Sequence, residues 1–415
     1  MRKTTLSICL ILFVNLIYGQ SEIINIPDVD FKLALLIDPN INTNSDSEIQ
    51  VTEANSYTGE INIKNLGISD LTGIEYFTNI VALRCNNNSL TSLNLTANTK
   101  LRILECTNNN LVNLDLSANN ILWAVYCSDN FGLNNIILNA SSTLLSLISE
   151  DTNLNTLNIS NYSKVQKLHL KDNNLTSLNI SGNTDLKDLN CDENKLTSIN
   201  TSNNTFLEIL SFNDNNIEDI DLTLNNALKE LSCYNNSLTS LNLSANLDLE
   251  KIYVQSNKLT DLDVSLNSNL TFFWCGGNEL ETLNIQNGNN TNMTNFSAYS
   301  YNLKCIFVDN KIYSNNNWTS IYPSSRFVET QNECNTVLST DNFESIKFKI
   351  FPNPSSTTLS FNIPIKKIII YNTEGKIILK SKEQIVNIEN LSNGLYIIQI
   401  HGLDNNLTSE KFIKR

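Results

Sequence analysis

Apolar positions in this chain return at a fixed step. The order Leu101-x-x-Leu104-x-Cys106-x-x-Asn109-x-Leu111-x-x-Leu114-x-Leu116-x-x-Asn119 recurs from Ile80, Leu101, Leu122, Leu144, Val165, Leu186, Leu207, Leu228, Leu249 and Leu270. The step is 21 residues, except for one of 22 whose extra residue falls in Phe131-Gly132. One unit of this size cannot bury its own apolar side, so the period predicts stacked units that share a core.

Spacing within a unit predicts the coil. Leu104 and Cys106 are two apart, which puts both on one face of a short strand, while Glu105 points the other way. Stacked coils then set these strands side by side in a parallel sheet, about 4.8 Å apart. Leu111, Leu114 and Leu116 turn the chain back beneath it. The return side is expected to be irregular: 21 residues leave no room for a full helix, and 91–100 carries no 3.6-residue apolar stripe.

Two asparagine columns follow the same period. Asn88, Asn109, Asn130, Asn173, Asn194, Asn215, Asn236, Asn257 and Asn278 come after the strand, interrupted by Thr152. Asn98, Asn119, Asn183, Asn204, Asn225, Asn246 and Asn267 form a second column. An amide carries donors and an acceptor, so these side chains are expected to satisfy the backbone groups of buried turns, coil after coil.

These units resemble leucine-rich repeats of the short bacterial kind. Residues 55–79, with Ile61, Ile63, Ile68, Leu71 and Ile74, resemble an internalin-type unit leading into the array. The resemblance implies a mainly β chain: a leucine-rich repeat solenoid at 61–290 with short parallel strands and an irregular convex side.

Around the array the pattern changes. Residues 1–19 have a basic start and an apolar run that read as a cleaved secretory signal. Residues 20–60 form an N-terminal cap, with a short helix over 27–36 carrying Phe31, Ala34 and Leu35 on one side. Its loop places Asn42, Asn44, Asp46, Glu48 and Glu53 in an EF-hand-like order, a candidate calcium site weakened by Asn in place of Asp at position 1 and Ser47 in place of Gly at position 6. Residues 291–336, with Trp318, Tyr322 and Phe327, are expected to close the far end and resemble the C-terminal cap of secreted bacterial leucine-rich repeat proteins.

Beyond a linker at 337–345, seven short β-rich runs predict a small β-sandwich at 346–415. Phe351-Pro352-Asn353-Pro354, Tyr371-x-x-x-Gly375, Leu391-x-x-Gly394-Leu395-Tyr396 and the terminal Lys411-Phe412-Ile413-Lys414-Arg415 resemble, in order, the C-terminal sorting domain of the type IX secretion pathway of Bacteroidetes. The resemblance implies export across the outer membrane, with the type IX machinery as partner of 346–415, and a secreted or surface-attached product. No later stretch is apolar enough to span a membrane.

Cysteines divide by position. Cys85, Cys106, Cys127, Cys191, Cys233 and Cys275 occupy the inward strand slot, where a free thiol behaves as a small hydrophobe. Cys305 and Cys334 lie outside the ladder. Export would place them in an oxidising compartment, so a Cys305–Cys334 disulfide is expected.

Charge narrows the function. Residues 20–340 hold 35 acidic against 16 basic side chains, whereas 341–415 hold 7 against 10. An acidic body argues against nucleic-acid binding, which requires basic surface. Catalysis also finds little support: His169 and His401 are the only histidines, and no G-x-S-x-G occurs. What varies is the outward strand column, Arg84, Glu105, Tyr126, Ile148, His169, Asn190, Ser211, Ser232, Tyr253 and Trp274, flanked by Trp123, Tyr234 and Phe272. Outward Trp and Tyr suit binding anchors. Trp123, Tyr126, Tyr234, Tyr253, Phe272 and Trp274 are therefore the candidate contacts for a protein or glycan ligand. The alternative is a structural or self-associating surface-layer component, which would expose apolar edges or ends instead.

Overall fold

The computed structural model describes residues 22–139, 143–339, 348–403 and 407–415. The expected signal lies outside the described residues, as do positions 340–345 of the linker. The chain divides into two compact units, Met1–Asn153 and Leu154–Arg415.

In the first unit the opening helix spans Val29–Leu36. It starts two residues later than Pro27 because Asp28 is the cap: its Oδ1 accepts the N–H groups of Asp30 and Phe31 at 3.1 and 3.0 Å. Oδ2 of the same carboxylate accepts the Ser69 N–H at 2.8 Å, which ties the helix to the first coil. Phe31 and Leu35 are buried. The strands Glu60–Asn62, Ala82–Arg84, Ile103–Glu105, Ala124–Tyr126 and Ser146–Ile148 then pair in parallel and in register. Leu83, Leu104, Val125 and Leu147 are fully buried beneath them, each worth about 2 kcal/mol of apolar burial. Register survives the 22-residue step because Phe131 and Gly132 lie in an exposed turn.

The second unit continues the pattern through Lys167–His169, Asp188–Asn190, Ile209–Ser211, Glu230–Ser232, Lys251–Tyr253, Phe272–Trp274 and Asn295–Ser297, again parallel. Phe272 pairs with Asn295, 23 residues on, so coiling runs past residue 290 into the region expected to be cap alone. Trp318, Tyr322 and Phe327 are buried there, beside the helices Lys311–Asn317 and Gln331–Ser339. The Cys305–Cys334 disulfide is present, with Cα atoms 5.7 Å apart.

The return side is irregular over many coils, with two departures from that expectation. Asn113–Leu116 pairs with Asn135–Leu138 in the first unit, and Asp261–Asp263, Thr282–Asn284, Cys305–Phe307 and Arg326–Val328 form a four-stranded parallel sheet in the second. Alternation such as Asp261-Leu262-Asp263 has the period of a strand, and pairing follows where neighbouring coils share it.

The first asparagine column works as a ladder. Asn109 donates through Nδ2 to the carbonyls of Cys106 at 3.1 Å and of Cys85, one coil back, at 3.0 Å, while its Oδ1 accepts the Leu90 N–H at 3.0 Å. Asn130 and Asn194 repeat the Nδ2 pattern. In the coil where Thr152 interrupts the column, its hydroxyl meets Ser149 Oγ at 3.2 Å instead. In the second column Asn119 donates to the carbonyls of Leu95 and Asn98. The residue before each ladder Asn has a positive φ, as at Asn108 (55°) and Asp214 (52°). Asn and Asp tolerate this left-handed conformation better than most residues.

All seven runs expected after residue 346 are strands. Ile350–Phe351, Thr358–Phe361 and Ile385–Asn387 form one antiparallel sheet; Ile377–Ser381, Ile365–Tyr371, Gly394–Gly402 and Leu407–Lys414 form the other. Leu359, Ile368, Ile370, Ile398, Ile400 and Phe412 are fully buried in their common core. Among the described residues, no helix is long and apolar enough to cross a membrane.

Candidate functional site

Alternation along each strand places one column of side chains in the core and leaves the next outside. In the second unit Ile252 and Phe273 are buried, whereas Tyr253, Phe272 and Trp274 stand on the open face. Strand register sets Tyr253 beside Trp274. The three rings form one cluster: Tyr253 to Phe272 is 4.7 Å between centroids, Phe272 to Trp274 is 4.7 Å, and Tyr253 to Trp274 is 5.9 Å edge to face. Trp274 remains 37% exposed. Glu230 and Lys251 border the rings and pair at 2.9 Å.

Among the described residues, no ring contact joins Tyr234 to this cluster. Tyr234 enters the face through a polar network on the neighbouring coils, where Asn213 Oδ1 accepts both the Tyr234 N–H and the Ser232 hydroxyl at 2.9 Å. Asn213 Nδ2 donates to Asp192 Oδ2 at 3.0 Å, and the Ser211 hydroxyl donates to Asp192 Oδ1 at 2.7 Å. Burial pushes the Asp192 carboxyl up, against the lowering effect of these bonds. Nearby, His169 Nε2 lies 3.0 Å from Asp188 Oδ1. Burial raises the Asp188 carboxyl, but His169 and Lys167 outweigh it and hold it below the usual range.

The first unit holds the other two aromatic candidates apart from each other's rings. Trp123 is 44% exposed beneath the Arg102 guanidinium, 5.0 Å from its centroid. Tyr126 is half-buried between Glu105 and Ile148 in register. On the same sheet Glu105 pairs with both Lys64 and Arg84, and Arg84 also reaches Glu60.

Tyr299 escaped the sequence reading. It stands 5.3 Å from Tyr322, edge to face, on the coil next to Trp274. The 23-residue step takes it out of the 21-residue column, so a fixed period could not find it. Burial pushes its hydroxyl up to about 12.

At the N-terminal loop the five oxygen-bearing residues do not form a cation cage. Glu53 Oε1 accepts the Thr43 N–H and hydroxyl at 2.8 and 3.0 Å and the Asn44 N–H at 3.2 Å, and Oε2 accepts the Gln50 N–H at 3.1 Å. Asp46 accepts from the Glu48 N–H, Asn44 and Gln50; Asn44 Oδ1 accepts the Asp46 N–H; Glu48 turns to Lys32 at 2.6 Å. Asn42 spends its Nδ2 on the carbonyls of Leu36 and Asp46. The Glu53 and Asp46 carboxylates are already held by protein donors, while the buried Asn42 Oδ1 accepts no hydrogen bond among the described residues. Among the described residues, no group of three or more His, Cys, Asp or Glu side chains is placed to hold a metal.

The six ladder cysteines are free and buried. Burial pushes the Cys85 and Cys127 thiols up to about 12, which makes them poor nucleophiles.

Two of the C-terminal motifs reach the last strand, which carries the fourth, through Asn353 and Tyr396. Ser355 accepts the Arg415 N–H through its carbonyl and donates its own N–H to the Ile413 carbonyl, both at 2.9 Å. Tyr396 stacks on Phe412 with centroids 5.4 Å apart, and its hydroxyl donates to the Ser392 carbonyl. Gly375, at φ +79°, closes the turn between Ile365–Tyr371 and Ile377–Ser381.

Residues 349–415 match the family described as secretion system C-terminal sorting domain. That domain marks the protein as secreted or attached at the outer surface. No curated relative matches the chain. Among solved structures, the chain is similar to the functional domain of InlJ from Listeria monocytogenes, which includes a cysteine ladder, at 19% identity and a TM-score of 0.46, over 96% of this chain and 99% of that one. An internalin, InlF, from Listeria monocytogenes matches at 22% identity and a TM-score of 0.49, over 75% of this chain and 93% of its own. A leucine-rich repeat protein from Leptospira interrogans matches at 18% identity and a TM-score of 0.40, over 66% and 91%.

Proposed function

We propose that this exported protein is a binding protein and not an enzyme, and that the open face of its second unit, centred on Tyr253, Phe272 and Trp274, holds a protein or glycan ligand. The three-ring cluster carries this reading. Trp274 stands partly exposed where the strand alternation leaves polar residues on most other coils, and the core beneath is complete without it. Large rings held by their neighbours lose little freedom on binding, which is why such residues act as anchors.

Self-association as a surface-layer component would draw on apolar ends. Phe31 and Leu35 of the first cap helix are buried, as are Trp318, Tyr322 and Phe327, but Val29, Leu33, Ile37 and Ile312 of the caps are exposed, so the preference for the face rests on its ring cluster alone. In this reading the sorting domain serves export through the type IX machinery and takes no part in ligand binding.

Changing Tyr253 and Trp274 together to Ala tests the proposal. Binding of the secreted protein to its target surface should weaken by about 2 to 4 kcal/mol, as for interface anchors, with the unfolding temperature nearly unchanged. Loss of folding, or binding as strong as before, would overturn it.

A further inference from the structure

The face around these rings differs in charge from the rest of the chain. The outward positions from Ile209–Ser211 to Asn295–Ser297 carry one acid and one base, Glu230 and Lys251, and these pair with each other. The full sequence, in contrast, has a net charge of −14. Besides this ion pair, the neighbouring outward groups are neutral: the amides of Gln255 and Asn295, the hydroxyls of Ser232 and Ser297, and the phenols of Tyr234 and Tyr299.

Two further observations bear on what such a face holds. The Gln255 Oε1 is buried and has no donor among the described residues. Finally, adjacent strands repeat about every 4.8 Å, close to the width of one pyranose ring. A sugar chain laid across the strands would meet one coil per residue.

We infer that the ligand of this face is a neutral polysaccharide, its sugar rings lying on Trp274 and Tyr253 and its hydroxyls bonded to Gln255, Asn295 and Ser297. This inference rests on the binding role proposed above and narrows it to one chemical class. Sugar C–H bonds carry partial positive charge and pack on the electron-rich face of an aromatic ring, while hydroxyls both donate and accept and so suit amide and hydroxyl partners. An acidic glycan would gain nothing here, because the single Lys251 is already held by Glu230. A basic protein partner would be drawn to the acidic surface elsewhere instead of to this stretch, whose one acid and one base are paired.

Calorimetry on the full secreted chain, with cello-, laminari-, malto- and xylohexaose as probes and oligogalacturonate as the charged control, tests this. At least one neutral hexasaccharide should bind, and Trp274→Ala should weaken it by about tenfold or more, with Trp274→Phe retaining part of the affinity. Gln255→Ala should lower affinity severalfold without lowering the unfolding temperature. Equal binding by Trp274→Ala, or preference for oligogalacturonate, would overturn the inference. If none of the neutral sugars binds while the Tyr253→Ala/Trp274→Ala double variant still loses attachment to its target surface, the glycan class is wrong and the binding role survives. If neither changes, both fall.

Discussion

Asn353 accepts the Ile413 N–H at 3.1 Å, sixty residues further along the chain, and donates to the carbonyl of Lys411 at 2.9 Å. One amide thus holds two residues of the last strand, on the edge opposite its partner Gly394–Gly402. Of the four residues in Phe351-Pro352-Asn353-Pro354, it is the one whose side chain bonds that strand.

Asn353→Ala should therefore free the end of the strand while leaving the Phe412 core contacts in place. Faster amide exchange at Ile413 and Arg415 is expected, with reduced secretion and accumulation in the periplasm. Deleting residues 411–415 should trap the protein there more completely. Unchanged secretion by the truncated chain would remove the sorting role from the terminal strand.

Asn109→Ala would leave the Leu90 N–H of a buried turn without its partner and remove one of the amide donors shared by each of the Cys85 and Cys106 carbonyls, which keep Asn88 and Asn130. A loss of about 1 to 3 kcal/mol in urea unfolding is expected. Asn109→Asp should be as harmful, because a carboxylate cannot donate to those carbonyls.

Asp28 makes the stability of the first unit depend on acid. Burial raises its carboxyl, but the N–H groups of Ser69 and Phe31 outweigh that and hold it below the ordinary value of 3.8. Its contribution is then fully present above the unfolded pKa and is lost as pH falls through the lower, folded one. Asp28→Ala should cost about 1 kcal/mol at neutral pH, the usual worth of a helix cap. Asp28→Asn should keep most of the cap and flatten the pH profile below 3.8, as followed by circular dichroism.

The N-terminal loop should bind calcium weakly or not at all, because Glu53 and Asp46 would have to give up N–H partners to ligate it. Titration calorimetry on the full chain should detect no submicromolar site. A tight one would mean that the loop rearranges around the ion.

Much of this structure was legible from residue order because a repeat array makes its contacts at fixed offsets. The reach of Asn109 to Cys85 is the reach of Asn130 to Cys106, so one unit, once read, gave the inward columns, the ladder and the buried cysteines. Alternation and turn residues did the same for the seven C-terminal strands. Where the offset changed the reading failed, as at Tyr299, and it missed the paired strands on the return side because short alternating runs become strands only beside a matching neighbour.

Residue order by itself determined which side chains face in and which face out, since that follows from the two-residue strand period and the 21-residue coil. Tertiary structure alone decided what the outward groups do. Phe272 bridges Tyr253 and Trp274 because strand register brings three rings together, whereas Tyr234 sits in the same face without joining them. Glu53 and Asp46 have the spacing of cation ligands, yet the folded loop turns their oxygens onto its own N–H groups. A hydrogen bond depends on direction as well as spacing, and direction is fixed only when the neighbouring chain is in place.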